Sequence, residues 1–269
     1  MSDTKVYLLD FGTMDLDSRQ VFWPMAPKGP YQIRIYGALI EHKEGRFLFD
    51  TGVDRQLVGS HLDSMLVDGP GGDEEKMQNV PGQLALLGFS PTDITHVVNS
   101  HLHVDHVGGN KYCTKATTIC HRLELETAAN PQPFEEWVYI DMSFAPGLRK
   151  NSNAPEPTPN YTPRLETLAG DQEIAKGVTL FETPGHSPGH YSLLVELANR
   201  RPILFTADAS YTEKHLNDNL IAGFHSDVKQ SFESLQRLRD LAKKYDAELF
   251  YAHDSALWKT WKHGPDYYS

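Results

Sequence analysis

Short apolar runs rich in β-branched and aromatic residues recur along the chain between turn-forming residues, and this pattern predicts β-strands. Nine segments have this pattern: 6–9, 33–40, 47–49, 94–98, 117–120, 178–182, 191–197, 203–206 and 247–251. A short helix is predicted at 81–87, where Gly88 ends it. An amphipathic helix is predicted at 227–245, with Asp227 as its N-cap. Strands therefore dominate, and helices lie between them.

The order of these elements indicates the fold class. Strands with interspersed helices, including two hairpin-like pairs, fit two helix-covered sheets better than an alternating β/α barrel. We therefore predict a layered α/β sandwich that forms a single domain over residues 1–269. Residues 131–163 contain seven prolines and are predicted to form an irregular insertion, of the kind that is usually a functional loop or a mobile linker. A second irregular segment is predicted at 17–30.

Composition excludes several classes of protein. The 269 residues include 25 Lys and Arg against 36 Asp and Glu, a formal charge of −11, which disfavours binding to nucleic acids and anionic membranes. No apolar run approaches the roughly 20 residues of a membrane helix, and the first residues lack the layout of a signal peptide. We therefore expect a cytoplasmic protein. The two cysteines, Cys113 and Cys120, are too few for a disulfide framework and are interpreted as packing residues.

The strongest chemical signal is an HxHxDH cluster. His101, His103, Asp105 and His106 directly follow the predicted strand 94–98. Alternate residues of an extended segment point the same way, so His101 and His103 are expected to face one metal ion while Asp105 and His106 turn towards a second. Imidazole with carboxylate suits zinc, with iron, manganese and cobalt as alternatives.

Two ions need more ligands than one loop supplies, and three further strand ends offer them. His186 follows the predicted strand 178–182, Asp208 follows 203–206, and His253 follows 247–251. Functional groups of α/β proteins gather at the carboxyl ends of strands. These residues are therefore candidate ligands of the same centre.

Together these motifs resemble the metallo-β-lactamase superfamily, and the sequence Asp208-Ala209-Ser210-Tyr211 is similar to its lactonase branch. The resemblance implies a four-layered αβ/βα sandwich that holds two Zn²⁺ ions per chain and acts on a small-molecule lactone. It also implies a ligand set in which one ion binds His101, His103 and His186, the other binds Asp105, His106 and His253, and Asp208 bridges both. We expect the protein to be a monomer or a homodimer.

Within this branch the chain most resembles the 4-pyridoxolactonases, so the leading hypothesis is a zinc-dependent lactonase that opens 4-pyridoxolactone or a similar small lactone. The alternative is an N-acyl homoserine lactonase. A polar, closed site made by 131–163 would favour the first, and an open apolar groove beside Trp23 and Met25 would favour the second. A glyoxalase II-like thioester hydrolase or a phosphodiesterase is a further alternative. A non-catalytic binding protein would be expected to have lost metal ligands.

Two residues are expected to act in lactone opening beside the metal ions, which would supply a hydroxide near neutral pH. The Tyr211 hydroxyl would stabilise the oxyanion, and Asp105 would carry a proton to the leaving oxygen. Asp50 and His190 are candidates to hydrogen-bond the ligands, or else are buried polar groups. His121 is a structural or cleft-facing residue. Five loop aromatic or apolar residues could line an apolar pocket or serve in packing: Trp23, Met25, Phe134, Trp137 and Phe224.

Overall fold

The strands form two sheets in a computed structural model that describes residues 4–24, 26–54, 77–149 and 161–269. The first sheet contains, in spatial order, β1 (Lys5–Asp17), β2 (Pro30–His42), β3 (Gly45–Phe49), β4 (His96–Val98), β5 (Thr117–His121) and β6 (Arg164–Leu168). Neighbours from β1 to β3 are antiparallel, and those from β3 to β6 are parallel.

The second sheet has the spatial order β11-β10-β9-β8-β7. Its strands are β7 (Gln172–Ala175), β8 (Val178–Glu182), β9 (Tyr191–Val195), β10 (Ile203–Ala207) and β11 (Glu248–Tyr251). Only the β10–β11 pair is parallel within the described part of this sheet, yet two successive antiparallel pairings give β8 the same direction as β10. The ends of β8, β10 and β11 therefore point the same way.

Helices connect and cover the sheets. The α-helices are α1 (Ser18–Val21), α2 (Val80–Leu86), α3 (Val104–Val107), α4 (Arg122–Ala129), α5 (Glu213–Asp218), α6 (Val228–Tyr245) and α7 (Ser255–Trp258). Short 3₁₀ helices lie at Pro91–Asp93, Asn110–Tyr112, Glu136–Val138 and Asp141–Ser143. No helix within the described ranges has both the length and the apolar character needed to cross a bilayer.

Alternation along β1 explains the layering. Val6 and Leu8 belong to the core between the sheets, whereas Tyr7 and Leu9 belong to a second core that includes Leu84 of α2. The sheets are in direct contact, since the rings of Phe49 and Phe205 lie 5.9 Å apart. On the far side of the second sheet, α6 contributes buried leucines to the main core. The order helix, sheet, sheet, helix is the expected αβ/βα sandwich.

Most of the predicted elements are present, and helix α6 begins after Asp227, whose side chain accepts a hydrogen bond from the Gln230 N–H at 2.9 Å. Strand β1 is longer than predicted, because beyond an irregularity after Asp10 it stays paired with β2. The 17–30 segment is also more regular than predicted, since it contains α1. Strand β6 was not predicted, because this strand is largely exposed and has no apolar run.

The described part of the 131–163 insertion is irregular but packed. Residues 131–149 contain two 3₁₀ helices, and the side chains of Tyr139 and Phe144 are completely buried there. These rings join a small core with Leu102 and Val107 of the HxHxDH segment. The insertion therefore packs directly against the segment that carries four candidate ligands. Its residues 150–160 lie outside the described ranges.

Candidate metal centre

Each candidate ligand follows the end of a strand, as the sequence predicts. The HxHxDH segment leaves β4, and α3 begins immediately after His103. The other three ligands follow β8, β10 and β11. His101 and His103 precede α3, whereas Asp105 and His106 lie within its helical turn. The two pairs of side chains therefore point to different places.

Close packing of the backbone fixes this segment. The Gly108 N–H donates to the Gly52 carbonyl at 2.7 Å, and a Cβ at Gly108 would lie only 2.0 Å from the Asp54 backbone nitrogen. Any larger residue would push α3 away from the turn after β3. The glycine that follows the motif is therefore required by the approach of these two loops.

The first group of ligand atoms comes from His101, His103 and His186. His103 Nδ1 lies 3.0 Å from His186 Nε2, and His186 Nε2 lies 3.3 Å from Asp208 Oδ2. His101 Nε2 lies 4.0 Å from the same oxygen. Ligand atoms of a tetrahedral zinc site are about 3.3 Å apart, given Zn–N distances of about 2.0–2.1 Å. The group therefore has the spacing that one metal ion requires.

The second group comes from Asp105, His106 and His253. His106 Nε2 and His253 Nε2 each lie 3.2 Å from Asp208 Oδ1. Asp105 Oδ2 lies 3.6 Å from the first of these nitrogens and 3.7 Å from the second. Asp208 thus turns one carboxylate oxygen to each group, which is the geometry of a bridging ligand.

The donor atoms themselves indicate a cation. Among the described residues, His101 Nε2 is buried without a hydrogen-bond partner, and the 3.2 Å contact between the buried atoms His106 Nε2 and Asp208 Oδ1 lacks the angles of a hydrogen bond. Buried polar atoms are normally satisfied, and unsatisfied ones point to an ion or a water. Neutral imidazoles and carboxylates are the ligands of zinc and similar divalent metals. The residues therefore fit a two-metal centre.

Hydrogen bonds from the other ring nitrogens orient the imidazoles. His186 Nδ1–H donates to the Phe224 carbonyl at 2.9 Å, and His253 Nδ1–H donates to the Arg34 carbonyl at 2.7 Å. Because a carbonyl only accepts, each ring keeps its Nε2 lone pair for a metal. The sequence could not reveal these two partners, since they are main-chain atoms from distant segments.

Asp50 organises the HxHxDH segment. Its carboxylate accepts the Ser100 N–H and hydroxyl, each at 2.8 Å, and lies 2.8 Å from His106 Nδ1. The Ser100 hydroxyl in turn accepts a hydrogen bond from His101 Nδ1–H at 2.9 Å. Asp50 has the left-handed φ of 56°, which a non-glycine residue adopts only where its surroundings enforce it. Asp50 therefore orients the His106 ring directly and the His101 ring through the Ser100 hydroxyl.

His190 binds Asp208, the residue that approaches both groups. The Asp208 backbone N–H donates to His190 Nε2 at 2.9 Å, and His190 Nδ1 lies 2.9 Å from Thr183 Oγ1. Burial, with the adjacent His186, lowers the pKa of His190 to about 3, so the ring is neutral and accepts this hydrogen bond. His121, in contrast, caps α4 and contacts Glu182, away from the two groups.

Burial is the main influence on the charge states in the centre. Together with the neighbouring imidazoles, burial lowers the pKa of His101 and His103 well below the usual value, which keeps both rings neutral, as metal ligands must be. Burial opposes ionisation of Asp208, but the imidazoles of His253 and His106 outweigh it and hold the pKa of this carboxyl well below its usual range. Burial lowers the pKa of His106 and His253 too, but the negative charge of Asp208 outweighs it and raises both pKa values. The first group therefore offers neutral nitrogen donors, whereas the second pairs its imidazoles with the charge of Asp208.

Tyr211 stands beside both groups. Its ring centroid lies 4.6 Å from that of His253 and 5.8 Å from that of His186. Burial, followed by the negative charges of Asp208 and Asp105, raises the pKa of Tyr211 well above its usual value. Its hydroxyl therefore stays protonated at neutral pH and is a hydrogen-bond donor beside the Asp208 carboxylate.

Three aromatic residues extend from the centre to the surface, and we call them the aromatic wall: Phe224, Trp137 and Phe134. The Phe224 ring lies 5.2 Å from His103, and the rings of Trp137 and Phe134 lie 5.7 and 6.2 Å from Phe224. Trp137 is 40% exposed and Phe134 54% exposed. The described part of the insertion thus presents an apolar surface. Trp23 pairs with Ile221 of the segment before Phe224, and Met25 lies outside the described residues.

Comparisons with known proteins identify a family and relatives that match most or all of the chain. The family model of the metallo-beta-lactamase superfamily matches residues 35–253. The chain is 33% identical to N-acyl homoserine lactonase AttM of Rhizobium radiobacter, with 100% of both chains covered. It is 31% identical to an N-acyl homoserine lactonase of Bacillus thuringiensis, with 99% of this chain and 100% of the relative covered.

Among solved structures, an N-acyl homoserine lactone hydrolase with N-hexanoyl-L-homoserine bound at its catalytic metal centre has a TM-score of 0.83. It shares 27% sequence identity, and the match covers 100% of both chains. The similarity in sequence and in fold therefore runs the full length of the chain, which includes every candidate ligand. The chain belongs to the metallo-beta-lactamase superfamily.

Proposed function

We propose that this protein is a metal-dependent lactonase that opens N-acyl homoserine lactones. The observation that carries the proposal is the pair of ligand groups that share Asp208 through its two oxygens. Relatives that match the whole chain act on N-acyl homoserine lactones, which supports the alternative substrate considered from the sequence over 4-pyridoxolactone.

The residues fit two zinc ions. One ion would bind His101, His103 and His186, the other would bind Asp105, His106 and His253, and Asp208 would bridge them. Bound zinc lowers the pKa of its water to about 7 and polarises a carbonyl oxygen. Lactone opening at neutral pH benefits from this chemistry, because free water, with a pKa of about 15.7, is a weak nucleophile.

Two residues of the chain complete the reaction. The Tyr211 hydroxyl donates a hydrogen bond to the carbonyl oxygen as negative charge develops on it, and the tyrosine remains neutral throughout. Asp105 takes the proton released as the water oxygen adds to the carbonyl, and passes it to the ring oxygen when the carbon–oxygen bond breaks. Asp105 suits this transfer because its side chain is less buried than that of Asp208.

The aromatic wall supports an acyl substituent on the substrate. It begins in contact with the ligand His103 and ends at exposed rings, so a tail attached to a lactone in the centre would lie against apolar surface. Burial of each methylene contributes about 0.8 kcal/mol. A small polar lactone without a tail would gain nothing from Trp137 or Phe134.

A comparison of substrates tests the proposal. The zinc-loaded protein is assayed by pH-stat with N-hexanoyl and N-decanoyl homoserine lactones, 4-pyridoxolactone, a glutathione thioester and a phosphodiester. We expect the two acyl homoserine lactones to have the highest kcat/KM. If activity were highest with 4-pyridoxolactone, the protein would still be a lactonase, but the proposed substrate would be wrong. Highest activity with the thioester or the phosphodiester would overturn the lactonase assignment.

A further inference from the structure

Helix α4 carries a completely buried carboxylate, Glu124, that is not one of the candidate ligands. Burial raises the pKa of Glu124, since a carboxylate loses its hydration in the interior. A buried carboxylate is normally retained where it is paired or hydrogen-bonded. The hydrogen-bond partners of Glu124 therefore indicate its role.

The two oxygens of Glu124 bind two different ligand loops. Oε2 accepts the Leu102 N–H at 3.1 Å, and Oε1 accepts the Gly189 N–H at 2.8 Å. Leu102 lies between the ligands His101 and His103, and Gly189 lies on the loop that carries His186. One side chain thus joins the main chains of the two loops that supply all three ligands of the first group.

The backbone packs closely at the same place. A Cβ at Gly189 would lie 2.8 Å from the Glu124 nitrogen and 2.6 Å from His121 Nδ1. The loop of His186 therefore lies directly on the first turn of α4, with no space for a side chain. This contact is independent of the hydrogen bonds and holds the loop in the same position.

The second group of ligands is held by other atoms. Asp50 binds His106, and the Arg34 carbonyl accepts from His253. Asp105 lies on α3, beyond the loop that Glu124 contacts. A change at Glu124 should therefore act on one group and leave the other in place.

We propose that Glu124 is a positioning residue that sets the distance between the His101–His103 pair and His186, and thereby the zinc affinity of that one site. The proposal rests on the proposed metal centre but not on the identity of the substrate. Residues that orient metal ligands typically change metal affinity 10- to 100-fold when they are replaced.

Glu124→Gln tests the proposal with almost no change in shape. A glutamine amide has one accepting oxygen, so its NH₂ group would face one of the two N–H donors, and one loop would lose its hydrogen bond. Glu126→Gln on the same helix is the matched control, because the Glu126 side chain is exposed and binds only Arg122 among the described residues, at 2.8 Å. The apo proteins are titrated with Zn²⁺ in competition with a chelating dye, and circular dichroism of the apo proteins reports the fold.

We expect Glu124→Gln to bind one Zn²⁺ as the unchanged protein does and the other about 10- to 100-fold more weakly, while Glu126→Gln binds both normally. Unchanged affinity at both sites, or equal weakening at both, would overturn the proposal. If Glu124→Gln does not fold, Gly189→Ala displaces the same loop, and it must show the same one-site loss for the proposal to stand.

This readout also separates two failures. If the unchanged protein bound no Zn²⁺, both the proposed function and this inference would be wrong. A protein that binds two Zn²⁺ ions and loses one in Glu124→Gln, yet hydrolyses no lactone, would support the inference and overturn the proposed activity.

Discussion

Replacing Tyr211 by phenylalanine tests the proposed catalysis most sharply, because the change deletes one oxygen atom and keeps the ring. The ring packs against His253 and belongs to the second core, so the fold should tolerate the substitution. No candidate ligand atom is removed. The variant should therefore isolate the contribution of the hydroxyl.

The expected magnitude follows from the position of Tyr211 beside both ligand groups. A preorganised donor to an oxyanion contributes about 2.7–4 kcal/mol to the transition state, which corresponds to about a 100- to 1,000-fold loss in kcat. Substrate binding should change much less, since the negative charge on the oxygen develops only as the reaction proceeds. Zinc content should remain at two ions per chain.

The assay compares kcat and KM for an N-acyl homoserine lactone, together with zinc content, in Tyr211→Phe and in a control. Tyr191→Phe is a suitable control, because Tyr191 is buried like Tyr211 but its hydroxyl donates to the Gly170 carbonyl at 3.0 Å, away from the candidate ligands. The control should lose only about 1 kcal/mol of stability. If Tyr211→Phe kept full kcat with two zinc ions bound, Tyr211 would be a packing residue only.

Four further predictions concern other parts of the molecule. Asp50→Asn should lower zinc affinity about 10- to 100-fold in a dye-competition titration, because the amide cannot accept all three hydrogen bonds of the carboxylate. Unchanged zinc affinity would contradict this prediction. Phe205→Ala should reduce the free energy of unfolding by about 3–5 kcal/mol in urea denaturation, since the ring is buried between the sheets; a loss below about 1 kcal/mol would show that the sheets repack. Trp137→Ala should raise KM for N-decanoyl more than for N-hexanoyl homoserine lactone, and an equal effect on both would remove the aromatic wall from tail binding. Burial lowers the pKa of His215 to about 4 from 6.5, so below pH 6.5 the unfolded chain binds a proton that the folded chain does not. The free energy of unfolding should therefore fall by up to about 3 kcal/mol, because of this group, as the pH falls from 6.5 to 4. If the denaturation midpoint of His215→Gln depended on pH as that of the unchanged protein does, this prediction would be wrong.

The convergence of the candidate ligands could be predicted from the sequence, because their signal is local or lies at strand ends. HxHxDH concentrates four side chains of metal-binding types in six residues, and Asp208 and His253 each follow a strong apolar run. The long α6 was equally clear, since its apolar residues recur at helical spacing after an N-cap. These features depend on neighbours in sequence, which a pattern can reveal.

Other features depend on contacts between distant segments. Nothing in the residues around Glu124 indicates that its carboxylate reaches two ligand loops, because the partners are backbone N–H groups 22 and 65 residues away. The exposed strand β6 lacks an apolar run, so only its pairing with β5 identifies it. The aromatic wall likewise forms only when Phe224 and the 131–149 segment meet.

Anomalous X-ray scattering at the zinc edge, from crystals grown with zinc, would show whether the seven side chains hold two neighbouring metal ions. We predict two peaks, one among His101, His103 and His186, the other among Asp105, His106 and His253, with one oxygen of Asp208 directed at each. A single peak, or a second peak bound by other residues, would show that these seven side chains do not form a two-metal centre.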